Sequence, residues 1–584
     1  MQALDWIVLA VTLLAIVGYG TWKTRGRKSV QDYIRGGNES KWWTIGLSVM
    51  ATQASAITFL STPGQAFNDG MGFVQFYFGV PIAMVVICLV FIPLYHRLKV
   101  YTAYEYLERR FDLKTRTLAA ILFLIQRGLA AGITIFAPAI VLSAVLGWNL
   151  TILNIIIGIL VIIYTVSGGT KAVSVTQKYQ MAVIFTGMFI AFFIILGALP
   201  EGITFSKALD IAGASGKMDI LDFSFSLDNR YTFWSGIIGG TFLALSYFGT
   251  DQSQVQRYLS GKSLKEMQLG LIFNGIMKVP MQFFILLIGV MVFVFYQFNA
   301  SPIHFNPETP KAVENSQYVE EYKALEDKQA DIFNEKQLII KDYIENKSDA
   351  ISEKLILANK ADRENRDAAK AIISKITEEQ NISVESNDKD YVFIHFILNN
   401  LPRGLVGLLL AVILSAAMSS TASELNSLAS TTTIDLYKRN LNGTRDEKHY
   451  VNATKWFTLG WGILAILIAC VAYLAENLIE LVNIIGSIFY GNVLGIFLIA
   501  FFFKRVKSNA VFFAAIITQI IVISLFYLNR FDYINLPYLW LNFVGCAIVI
   551  FIALLFSFKS LDKKGKFPLL VLTAILSFVT YHVV

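Results

Sequence analysis

The most constraining feature of the chain is the recurrence of long apolar segments. A bilayer-spanning helix needs roughly 20 mostly apolar residues. Fourteen segments qualify: 3–22, 43–65, 72–95, 117–146, 149–167, 177–198, 232–254, 268–297, 393–436, 453–475, 479–503, 509–528, 536–558 and 566–583. The segment 393–436 is too long for one span, so part of it should lie outside the bilayer. Charged residues make up 16% of the chain, against about 25% in average soluble domains. Together these features predict an all-α polytopic membrane protein with lipid as its surrounding partner, and they argue against a soluble enzyme. Residues 1–22 carry Asp5 as the only charge before Lys23, so they are expected to be a span and not a cleaved signal.

The formal charge of +7 does not argue for nucleic acid, because the basic residues follow the loops. Lys23, Arg25, Arg27, Lys28, Arg35 and Lys41 share one loop, and Arg97, Lys99, Arg109, Arg110, Lys114 and Arg116 share another. Further clusters are Lys171 with Lys178, Arg257 with Lys262 and Lys265, Lys438 to Lys448, Lys504 to Lys507, and Lys559 to Lys566. These are alternate loops. The intervening short loops hold only Lys207, Lys217, Arg230 and Arg530. By the positive-inside bias both termini should face outside, in a plasma or bacterial inner membrane.

Residues 306–392 break the apolar pattern. They are polar, with apolar residues at helical spacing at Tyr322, Leu325, Ile332, Leu338, Ile339, Ile344, Ile351, Leu355 and Leu357. One or two long amphipathic helices on the outer face are expected, either as a solvated insertion or as a docking surface for a protein partner.

The sequence shows no catalytic pattern. Cys88, Cys470 and Cys546 sit in apolar runs, and the five histidines have no metal-ligand spacing. Gly261-Lys262-Ser263 lacks the upstream glycine of a phosphate loop, since Gln256 stands there. The chain is therefore not expected to be an enzyme or an ATP-driven pump.

Polar groups inside the spans are more telling, because they are expensive in lipid. Arg127, Lys278 and Glu424 lie within apolar segments. Span two, SVMATQASAITFLSTPGQAF, has a small, polar centre and Pro63-Gly64 near its end. Span seven carries Gly236, Gly239, Gly240 and Gly249. Two interrupted spans, five apart, are the sign of an inverted-repeat transporter whose unwound backbone offers carbonyls to a cation. In span nine, Ser419, Ser420 and Ser423 put hydroxyls on one side of a helix.

With these residues in place, the chain resembles the solute:sodium symporter family, whose members include sodium/glucose, monocarboxylate, multivitamin, iodide, proline and sialic acid cotransporters. The matching stretches are WWTIGLSVMATQASAITFLSTPGQAF, GTDQSQVQRYLSGKS and MSSTASELNSLASTTTIDLYKR. The resemblance implies about fourteen spans around a leucine-transporter-type 5+5 inverted-repeat core, with sodium as the coupling ion. Its sodium site would comprise the carbonyls of Ala51, Ala54 and Ala416 and the hydroxyls of Ser419 and Ser420. A second sodium site of some members needs an Asp where this chain has Gln177, and a hydroxyl where it has Ala422. The resemblance also places the solute among Thr58, Gln75, Tyr77, Tyr247, Lys278 and Asn483. Two contacts of sugar carriers are missing, at Ala244 and near Tyr77. Arg127 could add a bidentate partner for a carboxylate.

The implied organisation is an extra helix and basic loop (1–42), a first repeat (43–198), an outer loop (199–231) and the start of the second repeat (232–305). The insertion (306–392), the rest of the second repeat (393–503) and additional helices (504–584) follow. The function expected is sodium-driven uptake of a small polar solute bearing a carboxylate. A sodium/sugar cotransporter and a sensor on a transporter scaffold are the alternatives.

Overall fold

A computed structural model of the protein describes residues 2–24, 34, 36–226, 229–380, 384–440, 445–471 and 478–559. The expected span 566–583 and the basic residues Arg25, Arg27, Lys28 and Arg35 lie outside them. Among the described residues the structure is helical, and one isolated bridge pairs Ser40 with Gly261.

The helices that position the site are α1 (Ala3–Thr24), α2 (Trp42–Gln53), α3 (Ala56–Asp69), α4 (Met71–Leu98), α5 (Leu113–Leu146) and α6 (Leu150–Gly197). They continue with α7 (Gly240–Gly249), α8 (Gln252–Leu259) and α9 (Leu264–Phe298). The polar insertion gives α10 (Val319–Glu345) and α11 (Asp349–Gln380). The remaining helices are α12 (Leu405–Thr431), α13 (Glu447–Ala469), α14 (Leu478–Phe502), α15 (Ser508–Arg530) and α16 (Trp540–Lys559).

Among the described residues nine helices are long and apolar enough to cross a membrane, and the bent pair α2–α3 makes a tenth. Shorter apolar helices cover Ala3–Ile16, Leu150–Val166 and Ser235–Gly249. They follow the expected segments in order up to 536–558. The spans 149–167 and 177–198 run together as α6, broken at Gly169, whose φ of 57° is left-handed and suits a residue without Cβ. The overlong segment 393–436 is divided between a short helix, Val392–Asn400, and α12.

Local chemistry fixes the helix starts. Asp112 accepts from the Thr115 amide, Ser263 from Glu266 and Asp446 from His449, each satisfying an amide that the first turn leaves free. The apolar faces then meet in one continuous core: α12 packs on α6, α9 on α2 and α3, and α14 on α16.

The insertion builds a smaller core of its own. Tyr322, Ile372, Ile373 and Ile376 pack with Ile303, and Ile340 and Leu355 pack with Ile211. Of the apolar positions read as one face, Tyr322, Ile332 and Leu355 are buried, whereas Leu338 and Leu357 point to solvent. The two-helix hairpin covers only the narrower stripe. Its seam is ionic as well: Asp362 binds Lys336 at 2.7 Å and Arg366 at 2.9 Å.

The hairpin is tied to the broken span. Asp69, the last residue of α3, pairs with Lys389 at 2.8 Å and Arg363 at 3.3 Å. Gly64 lies so close to the Lys389 carbonyl that a Cβ would sit 1.8 Å from that oxygen, so glycine is required there.

Candidate functional site

The site forms where α2 and α3 part. They meet at an angle of 61°. The break falls at Ala54 and Ser55: Ala54 has φ −81° and ψ 76°, outside the helical region, and Ser55 is extended. No apolar run in this stretch favours continuing the helix, and the Ser55 carbonyl instead accepts from the Thr58 amide to start α3.

Facing the break is α12. Ser419 Oγ lies 3.3 Å from the Ala51 carbonyl, and Ser420 Oγ lies 3.0 Å from the Ala416 carbonyl. Ala51, Ala54, Ala416, Ser419 and Ser420 are all buried, with Ala54 at the break itself. The structure thus brings the carbonyl of one broken helix against a hydroxyl of its neighbour. Oxygens of this kind, neutral and preorganised, suit a sodium ion.

Beside this set Gln177, on α6, fills a polar pocket. Its Nε2 donates to Ser423 Oγ at 2.9 Å, Thr52 Oγ1 at 3.1 Å and the Ser419 carbonyl at 3.4 Å, while Ser48 Oγ donates to its Oε1. An amide therefore stands where three oxygens converge. Lys178, the next residue, lies 4.7 Å over the ring of Trp43.

Glu424 pairs with Arg127 at 3.1 Å. Arg127 also binds Asp251, with Nε to Oδ2 at 3.1 Å, and donates to the Tyr490 hydroxyl. Tyr490 in turn donates to Asp251 at 3.1 Å. All four side chains are buried. This revises the expectation that Arg127 faces a solute carboxylate: two protein carboxylates already occupy its guanidinium in this structure. A buried arginine has to be neutralised, and the nearest acids do so.

The other expected solute residues divide in the same way. The Gln75 amide is fully engaged: it donates to the Tyr231 carbonyl at 2.9 Å and the Gly72 carbonyl at 3.3 Å, and accepts from the Asp222 amide at 3.0 Å. It ties Gly72 to Asp222 and Tyr231 and offers no free polar atom. The Lys278 ammonium is the opposite case. It is fully buried, lies 5.0 Å over the Tyr77 ring, and has no hydrogen-bond partner among the described residues. Tyr77 and Thr58 are buried. Tyr247 accepts from Gln254 at 2.6 Å and lies under the Arg127 guanidinium at 5.3 Å. Asn483, on α14, is half-buried with an unpaired Nδ2 among the described residues.

Two residues of this buried cluster escaped the sequence reading. Asp251 and Tyr490 complete the Arg127 cluster. Asp251 sits in the GTDQSQ stretch immediately after the Gly249 break, where it also caps α8 by accepting from the Ser253 amide at 2.8 Å. A lone acid at the end of an interrupted span was the available signal.

A broken apolar helix, a hydroxyl-bearing partner helix and buried charges inside the spans define a polytopic membrane transporter. The sodium:solute symporter family pattern matches residues 33–326 and 369–518. The chain belongs to this family, which consists of secondary transporters and not enzymes.

Among curated proteins the chain is 32% identical to the human sodium/iodide cotransporter over 50% of its own length and 46% of that protein. It thus spans about half the length of that relative. It is 27% identical to sodium-coupled monocarboxylate transporter 1 of Xenopus laevis, over 86% of this chain and 68% of the other. It is 25% identical to the sodium/sialic acid symporter SiaT of Proteus mirabilis (strain HI4320), over 91% of both. A solved structure of a Na⁺-coupled sialic acid symporter, substrate-bound and outward-open, superimposes with a TM-score of 0.72 at 23% identity, covering 95% of this chain and 98% of that one. The fold is therefore the leucine-transporter-type arrangement of two inverted five-helix repeats.

Proposed function

We propose that this protein uses inward sodium movement to take up a small carboxylate-bearing solute by alternating access. The observation that carries the reading is the contact across the break in span two, where the Ala51 carbonyl faces Ser419 Oγ at 3.3 Å. With Ala54, Ala416 and Ser420 it makes a five-oxygen seat for one sodium ion. The break lets the half-helix α3 tilt when that seat fills.

The carboxylate is assigned to Lys278. A buried ammonium with no acceptor is costly, and an incoming anion relieves the cost. Tyr77, whose ring lies 5.0 Å from the ammonium, would frame the rest of the solute together with Thr58, Tyr247 and Asn483. The named relatives carry iodide, monocarboxylates and sialic acid, and each of these is an anion or an acid. The basic loops support an orientation with both termini and the 306–392 insertion outside.

The test is accumulation by purified protein in liposomes under an inward sodium gradient, with a panel of carboxylates and neutral hexoses. Sodium-driven carboxylate uptake, weakened at least tenfold in Lys278→Gln, is the expected result. Sodium-driven hexose flux with no response to organic acids would refute the solute assignment. Sodium or ligand binding without accumulation would mark a sensor.

A further inference from the structure

Away from the break, a cavity of about 970 Å³ lies between the insertion and the ends of α3 and α9. Its chemistry is lopsided. Lys336 and Arg366 share one carboxylate, Asp362, and Arg363 and Lys389 share another, Asp69. Lys370 pairs with Asp388 at 3.2 Å, while Glu326 and Asp367 complete the acidic side. Lys217 completes the cationic wall. Its ammonium donates to the Asn68 carbonyl at 2.6 Å and lies 4.8 Å over the Phe293 ring, but it has no ion-pair partner among the described residues. Since an ammonium carries three donors, Lys217 retains capacity for an acceptor. Burial, with Arg363 and Lys336 nearby, pulls it down to about 8 against the opposing pull of Asp69.

A second set of groups in the same wall is unmatched. Gln297, only 2% exposed, donates to the Phe293 carbonyl, yet its Oε1 has no partner among the described residues. Both polar atoms of the Asn359 amide are buried and without partners there. Buried amides are almost always satisfied, so such a pair calls for an occupant with matching groups. An inorganic anion without a hydrogen, such as sulfate, would answer the ammonium but not the Gln297 oxygen, which needs a donor.

We propose that this cavity binds a small hydroxy- or amino-carboxylate, its carboxylate on the Lys217 wall and its hydroxyl or amine hydrogens on Gln297 Oε1 and the Asn359 amide. The site lies where the insertion grips α3 through Asp69, so an occupant would brace the hairpin against the half-helix that moves. It stands apart from the central Lys278 position and does not rest on the solute assigned there.

The experiment uses the full chain in lipid nanodiscs, in sodium-free choline buffer so that the sodium-dependent central site stays unfilled. Lactate is titrated by calorimetry, with acetate and sulfate as comparators. Saturable lactate binding, tighter than acetate and sulfate, is expected. Lys217→Gln should weaken it at least tenfold, which is about 1.4 kcal/mol, and Lys217→Arg should retain it. Gln297→Leu or Asn359→Leu should remove the preference of lactate over acetate, and these variants keep the proposal testable if Lys217→Gln misfolds. Lys278→Gln, although it weakens sodium-driven uptake, should leave this sodium-free lactate affinity unaltered. Absence of saturable lactate binding, equal affinity for sulfate, or loss of binding in Lys278→Gln with retention in Lys217→Gln would each overturn the proposal.

Discussion

One sodium ion should accompany each solute, because the Gln177 amide fills the pocket where the family resemblance implies a second. Its amide nitrogen donates to Thr52 Oγ1, Ser423 Oγ and the Ser419 carbonyl at 3.1, 2.9 and 3.4 Å. For a cation to take those oxygens, the amide must withdraw and leave its two N–H groups buried and unpaired, at about 1–3 kcal/mol each. The sum of about 2–6 kcal/mol weakens a second ion by about thirtyfold or more, since about 1.4 kcal/mol is tenfold. The consequence is measurable as accumulation in liposomes. With no voltage and a sodium gradient of about tenfold, one ion supports about tenfold accumulation and two support about a hundredfold. Voltage separates the cases again. One sodium with a monocarboxylate moves no net charge, whereas two would add about 2.3 kcal/mol per 100 mV, close to fiftyfold. Accumulation should therefore follow the first power of the gradient and ignore an imposed potential. Gln177→Asp, which puts a carboxylate among the same oxygens, should raise the dependence toward the second power. Second-power, voltage-driven accumulation in the natural chain would refute this reasoning. Its loss in Glu424→Gln would locate the second ion at that carboxylate.

Three further outcomes are expected. Ser419→Ala or Ser420→Ala removes one oxygen of five and should raise the sodium concentration for half-maximal transport about tenfold or more, roughly 1.4 kcal/mol; an unchanged sodium curve in the double variant places the ion elsewhere. Arg127→Leu leaves Asp251 and Glu424 as uncompensated buried acids and should cost about 3–5 kcal/mol, read as a lower unfolding midpoint in detergent that the added changes Asp251→Asn and Glu424→Gln restore; a midpoint unmoved by Arg127→Leu contradicts the cluster. In the insertion, burial and the Asp390 charge push the Glu385 carboxyl up to about 8. The native state therefore holds a proton that the unfolded chain releases near its ordinary value, so stability should fall as pH rises from about 4.5 to 8. Glu385→Gln should flatten that slope in a thermal-unfolding series, and an unaltered slope assigns it to another group.

What was legible in the sequence, and what was not, divides by the range of the interactions. The spans, the break after ATQAS and the hydroxyl row of α12 depend on composition and on neighbours within one helical turn, so the sequence displays them directly. Arg127 illustrates the limit. Its cost in lipid guarantees a partner, but the partner's identity depends on how α5, α8, α12 and α14 meet: Asp251 is 124 residues away, Glu424 297 and Tyr490 363. Gln75 is a similar case, since only the return of the loop to Asp222 and Tyr231 shows that its amide is engaged. Lys278 resembles Arg127 in sequence, a lone cation within an apolar segment, yet the fold treats the two oppositely. Two acids converge on Arg127, whereas an aromatic ring covers Lys278 and no acid lies near enough to pair with it among the described residues. A guanidinium held by two carboxylates has little left for a third, so it serves to lock the helices that meet around it. An ammonium without an acceptor keeps its charge available to something that arrives and leaves. The difference between a structural cation and a solute-binding one thus lies in its partners, and that is why the proposed carboxylate solute is placed on Lys278 and a fixed ion cluster on Arg127.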